Sequence, residues 1–105
     1  TTEIVDIAES FIAYQSYSTA ANLYIQALIK TQEAQQQATL FLAALRSYQA
    51  GSKFDEGGLL IERFGGLFLD NDQVLYRIVL FARAANKPGL ASFYANYLMD
   101  FEASQ

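Results

Sequence analysis

Apolar residues return every three or four positions along almost the whole chain. Ile4, Ile7, Ala8, Phe11 and Ile12 fall on one helix face near the start. Leu90, Phe93, Tyr94, Tyr97, Leu98 and Phe101 repeat the spacing near the end. The pattern predicts helices over residues 2–14, 19–31, 33–50, 53–65, 72–85 and 88–102, with no strand pattern in competition. The expected fold class is all-α.

The breaks have chemical causes. Ser16-Tyr17-Ser18 interrupts the first pair of helices and Ala50-Gly51-Ser52 the second, where Ser52 stands three residues before Asp55 as in a capping box. Asn86-Lys87-Pro88 interrupts the third: Asn tolerates the left-handed conformation after a helix, and Pro suits the first turn of the next. Asp70-Asn71-Asp72 supplies side-chain oxygens to cap the fifth helix. Ser16, Gly51 and Asn86 lie 35 residues apart. Evenly spaced helical hairpins predict a solenoid of three antiparallel pairs, covering about 1–32, 33–69 and 70–105 of a single domain.

Small residues stand where paired helices would cross: Ala8, Ala43 and Ala44 in first helices, and Ala21, Gly57, Gly58 and Ala91 in second helices. Gly57-Gly58 is expected inside the fourth helix, permitting close packing. Gly65-Gly66 is expected to end or bend it before Leu67, Phe68 and Leu69 staple the link to the fifth. Tyr24, Tyr94 and Tyr97 sit on apolar stripes and are expected in the core. The final helix carries a second apolar face with Ala91, Ala95 and Met99, which one neighbour cannot cover. That predicts a following repeat or self-association. Together with the absence of an initial Met, it reads as an interior slice of a longer solenoid.

Composition narrows the function. The 105 residues are 52% hydrophobic and 17% charged, which fits one folded domain. Seven basic against eleven acidic residues give a formal charge of −4 and no electrostatic footprint for nucleic acid. No apolar run reaches the length of a membrane span, so no membrane contact is expected of this segment. His and Cys are absent, which removes the commonest general base, metal ligand and nucleophile pairings.

Acidic residues remain as catalytic material. Glu3, Asp6 and Glu9, or Asp55 and Glu56, would have to face each other across a cleft to act as a glycosidase pair. Each lies in a first turn or on a solvent face, where capping and solvation account for it. Asp70-Asn71-Asp72 lacks the Gly and Glu of a calcium loop, and neither glycine pair is followed by the Lys-Ser/Thr of a phosphate loop. The chain is expected to be non-enzymatic, with no cofactor and no metal.

The spacing of the turns resembles that of tetratricopeptide repeats, whose unit is about 34 residues long. The best match runs from Tyr76 through Ala82, Asn86, Pro88 and Ala91 to Ala95, while the family's first-helix Trp, Leu-Gly and Tyr, and its terminal Pro, are mostly missing. The wording of this last unit also resembles the repeat region of Pel-type exopolysaccharide export proteins of the outer membrane. The first resemblance implies a concave face lined by the first helix of each pair, including Asp6, Ser10, Tyr14, Tyr48, Gln49, Gln73, Tyr76 and Arg77. It implies a scaffold that binds a protein partner and adjacent repeats of its own parent. The second implies residence in the periplasm, a parent anchored in the outer membrane, and docking of a polysaccharide deacetylase or hydrolase. The alternative is a carbohydrate-binding module that contacts the exported polymer.

Overall fold

The computed structural model describes residues 2–13 and 16–104, with α1 side chains from residue 3 to residue 9. The described residues form α1 (Thr2–Ala13), α2 (Tyr17–Lys30), α3 (Ala34–Ala50), α4 (Phe54–Phe64), a 3-10 turn (Gly65–Phe68), α5 (Asp72–Ala84) and α6 (Pro88–Ala103). They contain no strand. The six helices match the six that the periodicity predicts, with ends displaced by at most two residues.

The contacts divide the chain into two units, meeting between Gly57 and Gly58. In the first, α2 packs against both α1 and α3. Ala20, Ala21 and Ala27 on α2 are fully buried, and such small residues let helix axes approach closely. Tyr24 and Leu28 on α2, with Phe41, Ala44, Leu45 and Tyr48 on α3, complete the core. Burying a side chain the size of Phe41 contributes about 1.5–3 kcal/mol. The two helices run in opposite directions. Tyr48 near the end of α3 donates its hydroxyl to Asn22 Oδ1 near the start of α2, at 3.4 Å. Tyr17 opens α2 and lies over Gly51, which follows α3. Their connection is fastened where Gln37 Nε2 donates to the Thr31 carbonyl at 2.9 Å.

The second unit holds the rest of α4, the 3-10 turn, α5 and α6. Leu60, Ile61, Phe68, Val74, Leu75, Ile78, Phe81, Ala82 and Tyr94 form its core. The Asn71 side chain accepts from the Val74 N–H at 3.2 Å, so the cap predicted for α5 is present, and Pro88 opens α6. Gly58 faces the Lys87 side chain, and Gly65 faces the Tyr94 ring. Gly65 begins the 3-10 turn, which ends α4 as expected. Of the three residues expected to staple the link, Phe68 alone is buried; Leu67 is exposed and Leu69 half-buried.

One backbone motif occurs twice. After α3, the N–H groups of Gly51, Ser52 and Lys53 donate to the carbonyls of Ser47, Gln49 and Tyr48 at 3.1, 3.1 and 2.7 Å. After α5, those of Ala85, Asn86 and Lys87 donate to Phe81, Arg83 and Ala82 at 2.9, 3.1 and 2.8 Å. Every donor and every acceptor is displaced along the chain by the same interval, that from Lys53 to Lys87. Both are Schellman-type ends, in which the N–H two residues past the C-cap returns to a carbonyl five residues back. The starts of α2, α4 and α6 are alike as well: Ala20, Gly57 and Ala91 donate to the carbonyls of Ser16, Lys53 and Lys87, each at 3.0 Å, as Leu75 does to Asn71 at the start of α5.

These bonds fix a register that differs from the even one expected. The residues before the second helices are Ser16, Lys53 and Lys87, so the first interval is three positions longer than the second. α3 and α5 end at Ala50 and Ala84, the second of these intervals. Ser52 is therefore not the cap of α4. It adopts a left-handed conformation that closes α3, and Lys53 is the residue that precedes α4.

Candidate functional site

With this register, the residues expected to bind a partner separate. Asp6 on α1, Gln49 on α3, and Gln73, Tyr76 and Arg77 on α5 are all exposed. Tyr76 keeps 54% of its surface, and Arg77, the next residue of α5, is exposed as well. Tyr48 does not belong with them. It is 4% exposed, and its ring fills the α2–α3 core because its position is the inward one just before the end of α3. The Ser10 side chain and Tyr14 lie outside the described residues.

Glu3, Asp6, Glu9, Asp55 and Glu56 are all exposed, and Glu56 accepts from the Ser18 hydroxyl at 3.2 Å. Among the described residues no group of acidic side chains is placed to hold a metal ion, and no helix is long and apolar enough to cross a membrane.

A concavity that the sequence reading did not anticipate opens between α2 and α3. It is a half-open groove of about 340 Å³ lined by Tyr17, Tyr24, Ala43, Arg46, Ser47 and Ala50. Tyr17 and Tyr24 are seven residues apart on α2, and Ala43, Arg46, Ser47 and Ala50 follow the three-and-four spacing of one α3 face. Two tyrosines thus face a strip of small residues interrupted by one guanidinium. The Ser47 hydroxyl is already committed to the Ala43 carbonyl at 2.9 Å. Burial raises the Tyr24 pKa above its ordinary value; nearby Glu9 adds to the rise and Arg46 opposes it. The phenol stays a neutral donor through physiological pH.

Tyr24 and Arg46 therefore offer donors where the walls offer apolar and aromatic surface. The volume suits one side chain or one sugar ring, near the lower end of ligand pockets. An acceptor-bearing group, above all a carboxylate, is the chemistry that matches a guanidinium and a phenol. Each stripe is visible in the sequence taken alone. Their convergence depends on the α2–α3 pairing, which residue order does not show; Tyr24 is in the core, as expected, and also lines the groove.

Comparison with protein-family models, with curated proteins and with solved structures finds no match for the chain.

Proposed function

We propose that the chain is a tetratricopeptide-like array of three antiparallel helix pairs that serves as a non-catalytic docking scaffold for a protein partner. The observation that carries this reading is the twice-drawn turn after α3 and α5, in which every hydrogen bond recurs at one fixed displacement. The step from Lys53 to Lys87 equals the length of the tetratricopeptide unit, about 34 residues. Ala20 and Tyr24 add the small-residue and aromatic positions of its second helix, and both are buried.

The partner meets Gln73, Tyr76 and Arg77, exposed on α5 of the second unit. Tyr and Arg are the side chains most often found to carry binding energy at interfaces, and here Tyr76 and Arg77 adjoin. By resemblance, the partner is a periplasmic polysaccharide deacetylase or hydrolase of a Pel-type export system, and the parent protein resides at the outer membrane. The test is capture of such a purified deacetylase by the immobilised chain. Wild type retains the enzyme, and Tyr76→Ala with Arg77→Ala weakens retention at least tenfold at unchanged helicity. Equal retention by the double variant would remove this surface from the proposal.

The cavity also favours a second reading, direct contact with the exported polymer, because tyrosine rings and a guanidinium accommodate a sugar ring bearing a carboxylate. Calorimetric titration with uronic-acid oligomers and with partly deacetylated amino-sugar oligomers separates the cases. Heat from the acidic oligomers that disappears in Arg46→Ala supports polymer contact; no heat from either series eliminates it.

A further inference from the structure

The floor and the rim of the α2–α3 groove differ in chemistry. Ala43 and Ala50 offer methyl groups, and the Ser47 hydroxyl is committed to the Ala43 carbonyl at 2.9 Å. Tyr24 is 5% exposed, so its ring is packed into the core and its hydroxyl edge is what it presents to the groove. Arg46 is the charged residue of the lining, and it is exposed. The groove therefore carries a guanidinium in a chain whose formal charge is −4. Its complement is a carboxylate brought from outside.

These groups are also ordered along the groove. Tyr17 lies over Gly51, so Tyr17 and Ala50 stand at one end. Arg46 acts on the Tyr24 phenol, which places the two donors together farther along. Ala50 and Arg46 are four residues apart on α3, about 6 Å along its axis at ~1.5 Å per residue. In an extended peptide, side chains two residues apart share a face and stand about 6.5 Å from each other. One apolar side chain at the Ala50 end and one carboxylate on Arg46 and Tyr24 thus fit a single extended segment. A sugar ring fits less well. It carries hydroxyls around its rim, and those turned to the floor would meet methyl groups and a hydroxyl already committed.

We infer that the groove holds an extended segment of a protein partner in which an apolar residue and an Asp or Glu stand two positions apart. The inference rests on the docking-scaffold reading and adds to it a contact within the first unit. Glu9 sets its limit. That carboxylate also acts on the Tyr24 phenol, so a second acidic residue arriving beside the first meets like charge. The segment carries one carboxylate at this point and not an acidic run. Added salt weakens the contact, because Arg46 is exposed.

NMR titration of the nitrogen-15-labelled chain with the pentapeptide Gly-Leu-Ser-Asp-Gly, acetylated and amidated, tests this. Blocking both ends leaves the Asp side chain as the peptide's sole carboxylate. Saturable shifts are expected at the amides of Ala43, Arg46, Ser47 and Ala50. Asn in place of the peptide's Asp, or Arg46→Gln in the chain, is expected to weaken binding about tenfold, as loss of one charge-assisted hydrogen bond does. Ala50→Leu fills the apolar end and is expected to weaken it as well. Both positions are exposed, so the variants keep wild-type helicity. Absence of saturable shifts overturns the inference, as does equal affinity for the Asn peptide or equal affinity of Arg46→Gln. A uronic-acid oligomer that shifts the same amides at lower concentration than the peptide overturns it too, and assigns the groove to the polymer. Capture of the purified deacetylase through Tyr76 and Arg77 is read separately, so the scaffold reading and this inference fail by different results.

Discussion

Ser52 and Asn86 occupy the same place in their two turns and share a left-handed backbone, with φ of 56° and 57°. They are the non-glycine residues of the described chain that adopt it, and each closes the first helix of a pair through matching hydrogen bonds. Asn tolerates this conformation because its short polar side chain bonds locally, whereas the Ser Cβ crowds the carbonyl that follows. Ser52→Gly is expected to stabilise the fold by about 0.5–1 kcal/mol, and Asn86→Ala to destabilise it by about 1 kcal/mol. Urea denaturation of the two variants checks both signs.

Neighbouring glycines should respond in opposite ways. A Cβ at Gly65 would strike the Tyr94 hydroxyl, while one at Gly66 would meet open space. Neither glycine uses a positive φ, so Ala is conformationally permitted at both. Gly65→Ala is expected to cost about 1–3 kcal/mol through overpacking, and Gly66→Ala to add about 0.4–1 kcal/mol by restricting the unfolded chain. Tyr94→Phe removes the obstructing oxygen. A double-mutant cycle should therefore recover a large part of the Gly65→Ala loss in the Tyr94→Phe background.

Alkaline pH should weaken the protein. Burial is the main cause of the raised pKa values of Tyr24 and Tyr94, with Glu9 adding to the first and Tyr97 and Glu62 to the second. Unfolded tyrosines lose their protons near pH 10 while these two retain theirs, so above that point the folded state holds more protons. Stability is complete below about pH 10 and falls as pH rises beyond it. Thermal melts in steps above pH 9 should show the decline, and Tyr94→Phe should flatten it.

Tyr48 and Gln49 adjoin in sequence and separate in consequence. Tyr48 is buried and Gln49 exposed. Tyr48→Ala is expected to cost about 3–5 kcal/mol, as other large aromatic truncations in cores do, and Gln49→Ala less than about 0.5 kcal/mol. Paired chemical denaturation curves give the comparison.

That contrast marks what the sequence could and could not convey. Helix number, the Asn71 cap, the Asn86 turn and the Pro88 start were legible because each depends on local backbone chemistry. The burial of Tyr48 was not, since a tyrosine at the edge of an apolar stripe suits either core or groove until the partner helix is placed. Ser52 misled because a Ser three residues before Asp55 satisfies a capping box on paper, while the chain uses it one position earlier to close α3. The uneven spacing of the turns was hidden by equal distances among Ser16, Gly51 and Asn86, which occupy different places in their turns. The Arg46 cavity needed the α2–α3 pairing, which residue order does not show.

The account depends above all on the helix pairs being copies of one backbone unit. Its most direct test is the backbone of the two turns in solution, measured by NMR from chemical shifts and amide–Hα couplings, with hydrogen exchange at the following amides. The account predicts positive φ at both Ser52 and Asn86, and matched protection of the Lys53 and Lys87 N–H groups that bond back to Tyr48 and Ala82. A negative φ at either residue, or protection of one lysine amide without the other, would contradict it.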